Sequence, residues 1–225
     1  MASISATVEQ LAMPDQSQSN PIIYIVDDDA DVREGLQSLL QSVGLKSKTF
    51  SSTTALLTSK LADQANCLIL DVRLPGMSGL DFQAEVAKEQ IHVPIIFISG
   101  HADVPMSVKA MKAGAVEFLT KPVREQDLLD AVQVALDRDR TRRQHEQSMQ
   151  VLRGKYYSLS DREREVMSLV VAGLMNKQAA AEIGISEVTL KVHRHNIMKK
   201  LHARSLADLV RMADSLGIPP WKSRH

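Results

Sequence analysis

Five polar side chains stand at the ends of apolar runs in the first half of the chain, and together their types suit phosphoryl-transfer chemistry. They are Asp27 and Asp28 after "PIIYIV", Asp71 after "CLIL", Ser99 at the end of "VPIIFIS", and Lys121 after "AVEFLT". Three carboxylates that lie close together repel one another, and Mg²⁺, which prefers oxygen ligands, would relieve this repulsion. A phosphoryl group would bridge such a cation and the Lys121 ammonium. Since a carboxylate can accept a phosphoryl group, Asp71 is the candidate acceptor.

The apolar runs alternate with segments of helical periodicity, which is typical of a parallel sheet covered on both faces. Strands are predicted at 21–26, 45–50, 67–70, 93–99 and 115–120, and helices at 30–43, 53–62, 79–89, 104–113 and from 123 onward. This is an α/β fold of the (βα)5 flavodoxin-like class, in which ligands bind at the carboxyl ends of the strands. With the strand order 2-1-3-4-5, the strands that carry all five polar side chains are neighbours.

Charge divides the chain of 225 residues into two halves. Residues 1–140 carry a net charge of −7 and residues 141–225 a net charge of +7. This asymmetry predicts two domains with different partners, and the basic half is a candidate for nucleic-acid binding. No apolar run approaches the roughly 20 residues that span a bilayer, residues 1–20 lack the features of a secretory signal, and Cys67 is the single cysteine. A cytoplasmic protein without a membrane partner is therefore expected.

From residue 158 onward the apolar spacing is helical only, and four short helices are predicted. Ser160 and Glu163 form a capping-box pattern at the start of the first of them. The third contains "EVTLKVHRHNIMKKL", which can bury one apolar side and expose a basic one, with Ser186 as its cap. The candidates for the buried stripe are Val188, Val192 or Leu190, Ile197 and Leu201. The residues expected to face outward are Lys191, Arg194, His195 and Lys199.

The segments "IVDDD", "LILDVRLPGMSG" and "FISGHADVPMSVKAMKAGAVEFLTKP" resemble the receiver domain of two-component response regulators. The residues around Ser99 are especially similar to the FixJ branch. This resemblance implies that a sensor histidine kinase phosphorylates Asp71. It also implies a Mg²⁺ ion bound by Asp28, Asp71 and the backbone carbonyl of Arg73, with Asp27 bound through a water molecule or directly.

The same resemblance assigns a switch to the receiver. Ser99 and Lys121 would bind the phosphoryl group, and Phe118 would turn inward as Ser99 moves. Lys121–Pro122 would be a cis peptide bond. Phosphorylation would then promote a homodimer through the face formed by the fourth helix, the fifth strand and the fifth helix.

Residues 158–217 resemble the LuxR-type helix-turn-helix of NarL/FixJ regulators, through "LSDREREVMSLVVAGLMNKQAAAEIGISEVTLKVHRHNIMKKLHARSLADLV". Its third helix would enter the major groove of double-stranded promoter DNA. Base contacts are implied for Lys191, Val192 and His195. Phosphate contacts, which position without specifying, are expected from Lys177, Thr189, Arg194 and Lys199. The last helix would pair two such domains, and RNA polymerase would be a further partner.

The expected organisation has five parts: a disordered arm (1–20), a receiver domain (21–137), a linker that is partly helical (138–156), a small all-α four-helix DNA-binding domain (157–217) and a tail (218–225). The expected function is a DNA-binding transcription regulator controlled by phosphorylation. The resemblance favours an activator. No enzymatic activity is expected beyond the receiver's action on its own Asp71. Two alternatives stay open. One is a phosphate-independent DNA binder with a vestigial receiver. The other is an aspartyl-phosphate phosphotransferase or phosphatase, against which Arg73 occupies the position where such enzymes commonly carry a second acid.

Overall fold

The computed structural model describes residues 21–58, 66–101, 103–219 and 221. The chain divides into two compact units, Met1–Arg140 and Thr141–His225, and each is described by itself. The predicted arm (1–20) lies outside the described residues, as does part of the predicted tail. Among the described residues, no helix combines the length and the apolar character needed to cross a membrane.

The first unit contains a five-stranded parallel sheet with the strand order β2-β1-β3-β4-β5. The strands are β1 Ile22–Val26, β2 Lys46–Phe50, β3 Cys67–Asp71, β4 Ile95–Ser99 and β5 Glu117–Thr120. The helices are α1 Ala30–Ser42, α2 Thr53–Thr58, α3 Gly79–Lys88, α4 Val104–Lys112 and the first half of α5, which spans Glu125–Tyr157 and continues past Arg140. This architecture confirms the predicted α/β fold class and strand order. Residues 59–62 of the predicted second helix lie outside the described residues.

Two apolar layers hold the sheet between its helices. Along β3, Cys67 and Ile69 pack into one layer with α1 and α5, whereas Leu68 and Leu70 pack into the other with α3. Every residue of β3 and β4 is buried. Because each fully buried Leu or Ile contributes roughly 1.5–3 kcal/mol, these central strands give a stable base for the polar groups at their carboxyl ends.

Helix α5 is continuous over 33 residues. The segment 138–156, for which the sequence predicts helix only in its first part, is helical throughout. It contains no proline, and pairs one turn apart such as Arg142 with Glu146 support the helix. Near the middle of α5, the buried Asp139 accepts a 2.7 Å hydrogen bond from the side chain of Asn66. The Asn66 amide oxygen in turn accepts from the backbone N–H of Ile22, so α5 is tied to the amino edge of the sheet.

The second unit contains the four predicted short helices. They are α6 Asp161–Val171, α7 Asn176–Glu182, α8 Glu187–Leu201 and α9 Leu206–Ser215. Ser160 and Glu163 form the predicted reciprocal capping box at the start of α6. One apolar cluster joins the four helices, and Trp221 packs against it while its backbone N–H donates to the Ser168 carbonyl.

Candidate functional site

The carboxyl edge of the sheet brings together the three predicted carboxylates. Asp71 is the last residue of β3, and Asp27 and Asp28 follow β1, its neighbour in the sheet. One carboxylate oxygen of each lies within 4.8 Å of the others. Asp27 and Asp71 are buried, whereas Asp28 is exposed. We call these three residues together with Lys121 the acid pocket.

Lys121 supplies the positive charge of the acid pocket. Its Nζ lies 2.6 Å from Asp27 Oδ2 and 3.5 Å from Asp71 Oδ2. Burial alone would lower the pKa of the Lys121 ammonium, but the hydrogen bond to Asp27 and the charges of both aspartates outweigh burial and raise this pKa. Lys121 therefore stays charged and holds the two buried carboxylates near one another.

Of the two buried acids, Asp71 lies farther from the Lys121 ammonium than Asp27 does. Burial raises the pKa of its carboxyl, and although the Lys121 charge lowers that pKa, repulsion from Asp27 adds to the net rise. Its Oδ1 atom is buried and has no hydrogen-bond partner among the residues that the structure describes. An oxygen atom that is buried without a donor or a cation is costly. A set of oxygen donors with excess negative charge and one open oxygen fits a hard divalent cation such as Mg²⁺.

Backbone contacts fix the β1–α1 loop on which the acid pair stands. The Asp27 carboxylate accepts from the backbone N–H of Asp29 at 2.9 Å. Arg33, one turn into α1, donates from Nη1 to the Asp27 carbonyl oxygen at 2.7 Å. Asp29 caps α1 through the N–H groups of Asp31 and Val32. Sequence reasoning did not identify Arg33, because a single arginine in a helix gives no signal that it reaches back to the preceding loop.

Ser99 lies on β4, which is next to β3 in the sheet, and Phe118 lies on β5, the strand beyond β4. Ser99 ends β4, is buried, and accepts from the backbone N–H of His101 at 3.3 Å. Its carbonyl accepts from the Lys121 N–H at 2.8 Å. Phe118 on β5 is partly buried, with its ring 6.2 Å from that of Phe97. The peptide bond between Lys121 and Pro122 is cis, as the resemblance implies. Arg73, two residues after Asp71, is exposed.

Gly79 packs directly behind Asp71 and was not identified from the sequence. Its N–H donates to the Val72 carbonyl at 3.0 Å. A Cβ atom at this position would press against the backbone carbonyl oxygen of Asp71 and would lie 3.1 Å from the side chains of Leu70 and Phe97. A side chain here would displace the end of β3, so glycine is needed for close approach and not for a positive φ.

The second unit presents α8 with one packed side. Leu190, Ile197 and Leu201 are buried, as predicted, and the Ser186 side chain caps the helix by accepting from the Thr189 N–H. The prediction that Val188 belongs to the buried stripe is wrong, because its side chain is 72% exposed and lies away from the core. The buried positions follow the 3.6-residue period through Leu190, and that register places Val188 on the opposite side.

The exposed side of α8 carries most of the predicted contact residues. Lys191, Val192, His195, Lys199 and Thr189 are exposed, and so is Lys177 on α7. The Lys191 ammonium lies 3.3 Å from the Glu187 carboxylate. The Thr189 hydroxyl lies 2.8 Å from the Ser186 hydroxyl. Arg194 differs from the outward orientation expected of it, because it is only partly exposed and its guanidinium donates to the Asn176 side chain on α7.

An ion pair joins α6 to the last turn of α8. Glu163 is buried, and its Oε2 accepts from Lys200 Nζ at 2.7 Å and from the Ser160 N–H at 2.8 Å. Burial alone would raise the pKa of the Glu163 carboxyl, but its hydrogen bonds to Lys200 and Ser160 lower it below the ordinary value. The capping box was visible in the sequence, whereas the partner 37 residues further along was not.

The acid pocket at the edge of a parallel sheet, followed by a four-helix unit with a basic third helix, defines a two-domain transcriptional response regulator. Residues 23–133 match the response regulator receiver domain family, and residues 157–213 match the family described as bacterial regulatory proteins, luxR family. The chain belongs to the NarL/FixJ family of two-component response regulators. It is a transcription regulator and not a classical enzyme.

Full-length relatives support this assignment. Nodulation protein W of Bradyrhizobium diazoefficiens is 52% identical over 90% of this chain and 89% of its own length. Transcriptional regulatory protein FixJ of Azorhizobium caulinodans is 39% identical over 88% of this chain and 94% of its own. The solved structure of response regulator StyR has a TM-score of 0.78 at 48% identity, and the match covers 87% of this chain and 99% of that chain.

We expect Gly79→Ala to destabilise the receiver domain by about 1–3 kcal/mol, because the added methyl group overpacks the end of β3. It should also weaken binding of beryllofluoride, a phosphoryl mimic, because the Asp71 backbone must shift. Urea denaturation followed by circular dichroism and fluorine NMR of beryllofluoride measure the two effects. Gly35→Ala is the matched control, since a Cβ at Gly35 meets nothing within 4 Å. Equal behaviour of the two variants would refute the assigned role of Gly79.

We expect Glu163→Gln to destabilise the second unit by about 1–3 kcal/mol at neutral pH, because Lys200 loses a charged hydrogen-bond acceptor. The folded-state pKa of Glu163 lies below its ordinary value of 4.5. Its contribution is therefore present above pH 4.5 and is lost as the pH falls through the folded-state value.

Urea denaturation followed by the fluorescence of Trp221, the single tryptophan, measures the stability of this unit. Glu165→Gln, on the same helix, changes an acid whose side chain is 36% exposed, compared with 5% for Glu163, and should cost under about 1 kcal/mol. A difference between wild type and Glu163→Gln that stays constant down to pH 3 would contradict the pairing with Lys200.

Proposed function

We propose that a sensor histidine kinase phosphorylates Asp71, and that the phosphorylated protein dimerises and binds promoter DNA as an activator. The observation that carries this proposal is the buried Asp71 carboxylate, with one oxygen unpartnered and the other 3.5 Å from the Lys121 ammonium. A cation bound by these carboxylates would, together with Lys121, supply the positive charge that a phosphoryl group needs. We propose that the protein is cytoplasmic, because the catalytic part of a kinase and chromosomal DNA are both accessible there.

In the proposed step, an Asp71 carboxylate oxygen attacks the phosphorus of a phosphohistidine on the kinase. An O–P bond forms, the N–P bond breaks, and its electron pair remains on the imidazole nitrogen. Catalysis of such a transfer requires mainly positioning and charge neutralisation. Lys121 neutralises negative charge at the acceptor, Asp71. Arg33 holds the backbone of Asp27 and thereby fixes the position of the next residue, Asp28. The receiver would also catalyse hydrolysis of its own phosphoaspartate.

Receiver domains generally bind Mg²⁺ through acidic residues, and the acid pocket fits that ion. Asp27, Asp28, Asp71 and the Arg73 carbonyl are the proposed ligands. When bound, Mg²⁺ would neutralise the carboxylates and the phosphoryl oxygens. Asp28 is exposed and Asp27 is already paired with Lys121 at 2.6 Å, so a direct role is better supported for Asp28 and Asp71 than for Asp27.

The proposed switch runs through β4 and β5. Ser99 would move to the phosphoryl group, and Phe118, whose ring now contacts Phe97, would turn inward. The face next to these residues has exposed apolar side chains on α4, namely Val104, Val108 and Met111. An exposed apolar patch on a helix next to the switch supports the proposal that this face pairs with a second copy.

On DNA, Lys191, Val192 and His195 would contact bases, because they are exposed on one side of α8. Lys177, Thr189 and Lys199 would contact phosphates. We propose Arg194 as a phosphate ligand that Asn176 orients. RNA polymerase would be recruited by the DNA-bound dimer.

The first experiment measures the solution mass with Mg²⁺, before and after addition of beryllofluoride. We expect a shift from 24.9 kDa to twice that value. Asp71→Asn should abolish the shift, whereas Asp81→Asn, which removes an exposed acid from α3, should leave it intact. Asp71→Asn protein that activates its promoter as well as wild type would instead indicate a vestigial receiver. Steady phosphate release from small phosphoesters would indicate an enzyme.

A second experiment separates base from phosphate contacts. Lys191→Ala and His195→Ala should change sequence preference. Lys199→Ala should weaken binding to all sequences and reduce the slope of log K against log salt by about one unit. Fluorescence anisotropy with a selected and a random duplex at several salt concentrations measures both, and Lys88→Ala on α3 is the control. If all three variants lose the same affinity for both duplexes, our placement of the base-contacting side is wrong.

A further inference from the structure

Two valines on the outer side of α8 lie outside the apolar cluster that the described residues of this unit form. Val188 is 72% exposed and Val192 is 54% exposed. The apolar cluster of this unit is completed on the other side of α8 by Leu190, Ile197 and Leu201. Valine is also a poorer helix former than alanine, leucine or lysine. Two exposed valines one turn apart therefore have a cost in the free protein that the apolar cluster of the described residues does not offset.

The surroundings of the valine pair indicate what could cover it. Lys191 and His195 lie on the same exposed side, and Lys199 and Lys177 are exposed nearby in the same unit. The Glu187–Lys191 pair, at 3.3 Å, holds one of these charges beside the valines. A purely apolar protein surface would have to desolvate the cations. The major groove of DNA accepts both the cations and the valines. Its acceptor atoms and the neighbouring phosphates bind cations, and its thymine methyl groups contact apolar side chains.

Resting on the proposed entry of α8 into the major groove, we propose that Val188 is a further specificity-determining residue and that it contacts the C5-methyl group of a thymine. Val188 and Val192 would then read two thymines together. Cβ atoms one helical turn apart are separated by about 5–6 Å, and successive bases by about 3.4 Å. The two thymines therefore lie on adjacent base pairs or on two base pairs with one further base pair between them. The half-site carries them next to the purine read by Lys191.

The test removes the methyl group from either side of the contact. A duplex is first selected from a random library with the full-length wild-type protein, Mg²⁺ and beryllofluoride. Each thymine is then replaced in turn by uracil, which lacks only the methyl group. Dissociation constants are measured for wild type, Val188→Ala, Val192→Ala and Val188→Thr, which keeps one methyl group. Val151→Ala, at an exposed valine on α5 (54% exposed), is the matched control.

We expect one thymine-to-uracil replacement to weaken wild-type binding about fourfold, the factor for loss of about one buried methyl group. The same replacement should change binding of Val188→Ala less than twofold, because its partner is already absent. Val188→Thr should retain most of the wild-type response, and Val151→Ala all of it. A second thymine within two base pairs should couple in the same way to Val192→Ala.

Equal responses of wild type and Val188→Ala to every replacement would overturn the inference while leaving DNA binding itself intact. A change in the solution mass of DNA-free Val188→Ala with beryllofluoride would also overturn it, because the valines would then contact a second copy. If the wild-type protein selects no sequence over random DNA, the proposed entry of α8 into the groove fails, and this inference with it.

Discussion

The repulsion among Asp27, Asp28 and Asp71, answered by the single ammonium of Lys121, is the interaction on which the receiver domain depends. The four side chains come from the ends of β1, β3 and β5, so their distances hold only while three strands keep their register. Burial of β3 and β4 on both faces supplies that rigidity. Because the folded-state pKa of Asp71 is raised, its ionised form reduces stability at neutral pH, and this cost disappears only as the pH falls through that pKa. The domain thus stores an unfavourable charge that a cation can compensate.

Close packing behind the acid pocket explains how a local change there could reach a distant surface. Gly79 allows α3 to start directly against the end of β3, so the acceptor has little room to move backwards. Ser99 and Phe118 lie on the two strands beyond it, in a sheet where Phe97 pairs in register with Phe118. Movement of Ser99 towards Asp71 would therefore alter the packing of one ring against the other. Packed interiors shift between discrete arrangements because they resist gradual deformation.

Sequence patterns predicted the parts of this molecule that depend on neighbours along the chain. Alternation of apolar runs and helical segments gave the (βα)5 order, and the polar residue at the end of each run gave the acid pocket. Three features depend instead on contacts between distant segments: the close approach of Gly79 to Asp71, the pairing of Glu163 with Lys200, and the hydrogen bond from Arg194 to Asn176. Val188 was misplaced because periodicity left the choice between Val192 and Leu190 open; Val188 lies on the side of Val192, whereas Leu190 is the buried residue. The segment 138–156 has no apolar stripe, so its continuous helix rests on propensity and pairs such as Arg142–Glu146, which periodicity does not detect.

The two units share one physical property, although they use opposite charges. The acid pocket has more negative charge than Lys121 can neutralise, and it holds an unpartnered buried oxygen. The outer side of α8 has exposed cations beside two valines that lie outside the apolar cluster of this unit. Each arrangement costs stability in the free protein, and natural proteins usually accept such costs only at functional sites. A cation such as Mg²⁺ would relieve the first arrangement and prepare it for a phosphoryl group, and a DNA duplex, which carries the opposite charge, would cover the second. A ligand shifts an equilibrium only by its difference in affinity for the two states. If the free protein already compensated the charge of the acid pocket and covered the outer side of α8, binding of either ligand would gain less free energy with which to shift the state of the regulator.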